Sequence, residues 1–193
     1  MASMVEICNL ALSKAGITDS IMNLDAEQSE TALWCKANFA PARDAVLRDF
    51  PWNFATKNVV LSALDYDHPD GKKVYLYPSD CLNVIDVSKT LFEIGVIGEG
   101  TNMRKVIITG ADNAQTKYIA RVSDPNIFDP IFISALAWYL AGELSLSVGG
   151  NNTGRSQAAF QQYELIKSKA QRASVSESKT DAYKNNEFVS ARA

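Results

Sequence analysis

Apolar residues recur at steps of three and four near both ends of the chain and at steps of two through its middle, and this change of period divides the sequence. The first helical segment carries its own punctuation. Ser3-Met4-Val5-Glu6 reads as a capping box, Val5, Ile7, Cys8, Leu10, Ala11 and Leu12 form an apolar stripe, and Gly16 is placed for a left-handed C-terminal cap. The spacing predicts a helix over 4–15, with Ile17 folding back on Leu12. A second start signal is Asp25 with Gln28 three places on, followed by Ala32, Cys35, Phe39, Ala42, Val46 and Phe50 on one stripe. Pro41 lacks an amide hydrogen and clashes with the carbonyl of Ala37, so this helix is expected to kink or restart there before Pro51 stops it.

From Thr56 to Val122 the texture changes to short runs rich in β-branched and aromatic residues: TKNVVL, KVYLYP, LNVIDVS, LFEIGVI, RKVIITG and TKYIARV. Gaps of hairpin size with no helical crossover predict five or six antiparallel strands, arranged as a small sandwich or open barrel. Helicity returns at Asp129-Pro130, and the next segment is apolar almost all round until Gly149-Gly150, so protein must enclose it. A last helix starting near Asn152 or Thr153 presents Ala159, Tyr163, Ile166, Ala170 and Ala173 as a narrow packing seam. Residues beyond Ser174 bury little and are expected to be mobile or ordered by a partner. The expected fold is therefore α+β: a body of about four helices from 1–55 and 123–175, an inserted antiparallel β domain from 56–122, and a mobile tail from 176–193.

A chain of 193 residues buries enough surface to fold without staples. Cys8, Cys35 and Cys81 are odd in number and lack CxxC spacing, and the first two lie on helical stripes, which reads as reduced core residues in a reducing compartment. Charge is uneven: residues 1–150 hold 12 basic against 18 acidic side chains, and 151–193 hold 7 against 4. An acidic body argues against a nucleic-acid grip built on phosphate neutralisation. Glu6, Asn9 and Ser13 interrupt the early apolar segment, so no signal peptide is expected. The apolar run after Pro130 ends at Glu143, a length that suits a buried helix better than a membrane span.

Catalytic chemistry is hard to find. DYDHPDGKK at 65–73 resembles a calcium loop, but its glycine is one place late and its twelfth position is Leu76, so it reads as a solvated turn. His68 is the only histidine, which excludes a His cluster. Gly95-Val96-Ile97-Gly98-Glu99-Gly100 lies between strands and reads as a bulged hairpin rather than a dinucleotide fingerprint. The glycine- and asparagine-rich run before Arg155 reads as an inter-helix turn. Glu143, a carboxylate on an otherwise apolar helix, must reach solvent, an arginine or another subunit. The sequence therefore implies no enzyme, metal or cofactor. A rival reading, a small metal-dependent hydrolase or ligand-binding domain, would need acids of the β insertion such as Asp65, Asp67, Asp80 and Asp86 to converge.

One stretch resists the polar-loop rule: RDFPWNFATKN at 48–58 places Trp52 and Phe54 just past a charged helix. ICNLALSKAGI, FAPARDAVLRDFPWNFA, YLYPSDCL and YIARVSDPNIFDPIFISALAWYLAGELS follow one another in an order and spacing that resemble the tail tubular protein A family of short-tailed phages, over residues 5 to about 170. The resemblance implies a head-to-tail adaptor of the virion, assembled in the host cytoplasm as a ring of identical subunits, most simply a dodecamer. Such a ring lies between a portal protein and a tail nozzle protein and surrounds a channel through which DNA passes without sequence-specific binding and without a membrane. Trp52 and Phe54 then fall at the corner between body and insertion, where buried rings fix the orientation of two modules. Asp19, Glu27, Glu30 and Asp44 are candidate ring-surface acids, and Glu27, Glu30, Asp44, Glu143 and Arg155 are candidate intersubunit or portal contacts.

Overall fold

The computed structural model describes residues 3–177, and the tail expected over 176–193 lies almost wholly outside them. The fold is α+β: four helices, α1 Met4–Ala15, α2 Glu30–Asp49, α3 Pro130–Ser147 and α4 Thr153–Glu177, with a β insertion between α2 and α3. The insertion holds β1 Thr56–Val60, β2 Ala63–Leu64, β3 Lys73–Leu76, β4 Cys81–Val87, β5 Phe92–Ile97, β6 Arg104–Thr109 and β7 Gln115–Ala120.

In α1 the Ser3 side chain accepts from the Glu6 amide while the Glu6 carboxylate accepts from the Ser3 amide, satisfying two donors the helix itself leaves free. Gly16 takes φ 72°, and the Ile17 amide returns to the Leu12 carbonyl at 2.9 Å, closing the other end. The second helix departs from expectation. Its N-cap is Ser29 rather than Asp25, because the Asn23 side chain draws the amides of Asp25 and Ala26 into a turn before the helix begins. It also neither stops nor restarts at Pro41. Pro41 and Ala37 are both exposed, so the carbonyl deprived of its helical donor faces water, which can serve it.

The helix α3 is central and packs against α1, α2 and α4. It is long and apolar enough to cross a membrane by length and composition, with half of it buried inside the fold. Only Pro130, Glu143, Leu146 and Ser147 along it are exposed, so protein encloses it as its all-round apolar pattern requires. Gly142 lets α4 approach: a Cβ there would stand 2.8 Å from the Phe160 ring. The core of the body joins Leu12, Cys35, Phe39, Trp52, Phe132, Leu140 and Tyr163 in one cluster. Cys8 and Cys35 lie in it and share a thiol–thiol hydrogen bond, which together with burial holds the Cys8 pKa far above the ordinary thiol range. Cys81 is half-buried and free.

The insertion folds as two antiparallel sheets, in the order β1-β7-β4 and β2-β3-β6-β5. Seven strands rather than five or six arise because β2 spans two residues, too few for a periodic signal. A small core of Leu61, Tyr75, Val84, Val87, Ile107 and Ala114 draws side chains from both sheets. A smaller one, Val74, Val106 and Ile108, forms on the opposite face of the four-stranded sheet, since Tyr75 faces Ile107 in register while Val74 faces Ile108. The β4–β5 turn puts Ser88 at φ 49° and Lys89 at φ 55°, left-handed values with no glycine to ease them. Asp86 accepts the Lys89 amide at 3.0 Å and the Ser88 hydroxyl accepts the Gln115 amide at 2.8 Å, offsetting that strain.

Candidate functional site

The chain crosses from body to insertion at residues 50–56 and returns at 121–130, and both crossings meet in one aromatic cluster. The Trp52 ring lies 5.0 Å from Phe50 and 5.1 Å from Phe132, edge to face in each case. Phe54 sits 5.1 Å from Phe132 and 5.9 Å from Phe128, and Phe128 stands 4.8 Å from Phe132. Offset and edge-on pairs at these separations add about 0.5–1.5 kcal/mol each beyond area burial. Trp52 is 3% exposed, and its indole N–H donates to the Val46 carbonyl at 2.9 Å. That carbonyl belongs to the last turn of α2, where the helix supplies no donor, so Trp52 also terminates the helix. No sequence rule names tryptophan as a cap, so this role was not legible before folding.

An ionic link runs beside the rings. One oxygen of Asp44 accepts from Arg43 Nε at 2.8 Å and Nη2 at 2.7 Å, and the other accepts from Arg121 Nε at 2.7 Å. Arg43 is buried, so its charge needs this partner. Arg121 follows β7 directly, and its amide donates to the Asp80 carbonyl at 2.7 Å. The Asp80 carboxylate in turn accepts from Lys57 Nζ at 2.6 Å and from the Tyr118 hydroxyl at 2.9 Å, joining β1 and β7. Burial pushes the Asp80 carboxyl up, but the hydrogen bonds from Lys57 and Tyr118 and the Lys57 charge outweigh it and leave the group below its ordinary value. Burial and Asp80 together push Tyr118 up to about 12.

A second carboxylate latch closes the body. Asp49 at the end of α2 accepts from the Tyr163 hydroxyl at 2.6 Å and from Lys167 Nζ at 2.7 Å, both on α4. Desolvation raises the Asp49 pKa, yet the bonds from Lys167 and Tyr163 bring it below the usual carboxylate range. Burial and the Asp49 bond push Tyr163 up.

The remaining candidates scatter. Glu27 accepts from the Met22 amide at 3.1 Å and the Ser29 hydroxyl at 2.7 Å, which lowers its pKa and braces the loop before α2. Asp19, Glu30 and Glu143 are exposed. Arg155 donates Nη1 to the Ala15 carbonyl at 3.3 Å, so it folds onto the end of α1 within its own chain. Of the acids the hydrolase reading needs, Asp65 and Asp67 are exposed on the loop before β3, Asp80 is engaged as above, and Asp86 closes the β4–β5 turn. Among the described residues no group of three or more His, Cys, Asp or Glu side chains is placed to hold a metal. His68 accepts the Asp70 amide on Nδ1 at 3.2 Å inside its turn. No family model matches this chain, and no curated protein matches it.

Proposed function

We propose that this chain is a structural, non-enzymatic head-to-tail adaptor similar to tail tubular protein A, which assembles as a ring on a phage portal, meets a tail nozzle protein on its other side and surrounds the path of the DNA. The observation that carries the reading is the double crossing: Trp52 and Phe54 on the outgoing strand pack with Phe128 and Phe132 on the returning one, and the Asp44–Arg121 ion pair crosses the same corner. A segment tethered at two points by packed rings and a charge pair has little freedom to swing, and a ring needs such rigidity because a heterologous contact closes only at one rotation angle. The motifs quoted above support the family, since FPWNFA and FDPIF are the stretches that build this corner. The acidic balance of residues 1–150 suits a conduit, where negative walls repel phosphates and let DNA slide.

The test is assembly. The full-length protein mixed with the portal protein from the same phage should form a single closed complex of fixed subunit number by native mass spectrometry. A protein that stays monomeric and never joins the portal would overturn the reading.

A further inference from the structure

Two cations of the helical body, one from α1 and one from α4, meet at one cleft. The cleft, ≈ 400 Å³, lies between the end of α1 and the first turns of α4, with Lys14, Trp138, Arg155, Ala158 and Gln162 among its walls and no carboxylate in its lining. Lys14 Nζ stands 4.2 Å above the Trp138 ring. Arg155 uses one of its five donors on the Ala15 carbonyl at 3.3 Å and is otherwise exposed. Its approach depends on Gly16, where a Cβ would stand 2.9 Å from Arg155 Nη1. Lys36, Arg43, Lys57, Lys72, Arg121 and Lys167 each face a carboxylate, whereas among the described residues Lys14 and Arg155, like Arg48, Lys169 and Arg172 of the same body, form no ion pair. Partial burial also pushes the Lys14 pKa down, because no anion nearby compensates for the water it has lost.

We propose that this cleft binds an acidic peptide segment of a partner protein, with a carboxylate between Lys14 and Arg155 and an apolar neighbour against the Trp138 indole. The charge complement lies in the lining itself, two cations with no carboxylate among them. Residues 1–55 and 123–175 hold 8 basic against 11 acidic side chains, so the body as a whole leans acidic while this cleft does not. A nucleic-acid backbone fits less well: duplex DNA carries about one charge per 1.7 Å of axis and needs a stripe of cations, while this cleft offers two cations and an apolar wall. The indole and Ala158 give a side chain next to the carboxylate an apolar surface to cover, which a phosphate lacks. The inference does not depend on the adaptor reading, because portal assembly can proceed through another face.

The experiment is an anisotropy titration of a fluorescein-labelled Glu-Glu-Leu-Glu-Glu peptide with the full-length protein at low ionic strength. Saturable one-to-one binding is expected, weakened about tenfold by Lys14→Gln and by Arg155→Gln, and left unchanged by Lys36→Gln. Circular dichroism melts establish that each variant is folded, and because the Lys14 ammonium, unlike the Arg155 guanidinium, holds no backbone carbonyl, its variant carries the test even where Arg155→Gln loosens the fold. Peptide binding that ignores both substitutions would overturn the proposal. So would tighter binding of a short DNA duplex through the same two residues, or displacement of the peptide by an equal concentration of inorganic phosphate, which would mark a site for small anions only.

Discussion

The helical body and the β insertion are built to different standards of burial. The body closes on one continuous core that includes Phe39, Phe132, Leu136, Leu140 and Leu144, all under 2% exposed. The insertion divides its own apolar side chains between two small clusters on opposite faces of one sheet and lends Ile119 of β7 to the core of the body, with Leu82 of β4 packed against it. Its first strand, β1, is mostly exposed, and Leu91, Val96 and Met103 stand out in solvent at 95%, 62% and 64% exposure. Free energy from burial scales with apolar area, so the insertion depends on its attachment to the body far more than the body depends on it. Both regions nevertheless use the same polar device, a carboxylate accepting from a tyrosine and a lysine: Asp49 with Tyr163 and Lys167 in the body, Asp80 with Tyr118 and Lys57 in the insertion. The comparison teaches that the corner, where Trp52 serves both regions, is where the stability of one is transmitted to the other.

The largest expected effect comes from cutting that link. Trp52→Ala should cost about 3–5 kcal/mol, by removing a buried ring and leaving the Val46 carbonyl without its donor. Urea denaturation followed by far-ultraviolet circular dichroism measures it, and an unchanged midpoint would break the idea of a shared corner. Next, Ile107→Ala, which empties the inter-sheet core, should cost about 2–4 kcal/mol within the insertion while amide hydrogens of α1 and α3 keep their protection from exchange. Equal loss of protection in α3 would show that the two regions unfold as one unit.

Asp44→Ala should destabilise by about 1–2 kcal/mol by stranding the buried Arg43 charge and freeing Arg121, with the larger rise in exchange at β7 rather than in α1. The paired latches predict an acid response in both regions. Asp49 and Asp80 each have a folded pKa below the unfolded value, so the stability they provide is present above about pH 3.9 and is lost as pH falls through the folded values beneath it. Tyr163→Phe and Tyr118→Phe should therefore flatten the acid limb of the stability curve, each lowering neutral-pH stability by about 1 kcal/mol because these carboxylates are partly exposed. The smallest effect is Ser3→Ala, about 0.5–1 kcal/mol from loss of the α1 capping box, read as a fall in thermal midpoint that leaves the insertion untouched.

What the sequence determined by itself is what depends on neighbours along the chain. The α1 capping box, the left-handed Gly16, the apolar circumference of α3 and the alternating runs that became β1 and β3 to β7 are all set by local sterics and period. The start of α2 was misread because Asp25 and Ser29 are equally good caps on paper, and only the turn made by Asn23 with the Glu27 braces decides between them. The restart allowed for at Pro41 does not occur, because its side of the helix faces water, which the sequence does not reveal. Tertiary structure alone decided that Trp52 would cap α2, that Asp44 would reach Arg121 across 77 residues, and that Lys14 and Arg155 would meet at one cleft. Each of these joins groups far apart in the chain, and a contact at such separation is fixed by how whole elements pack, which no local pattern contains.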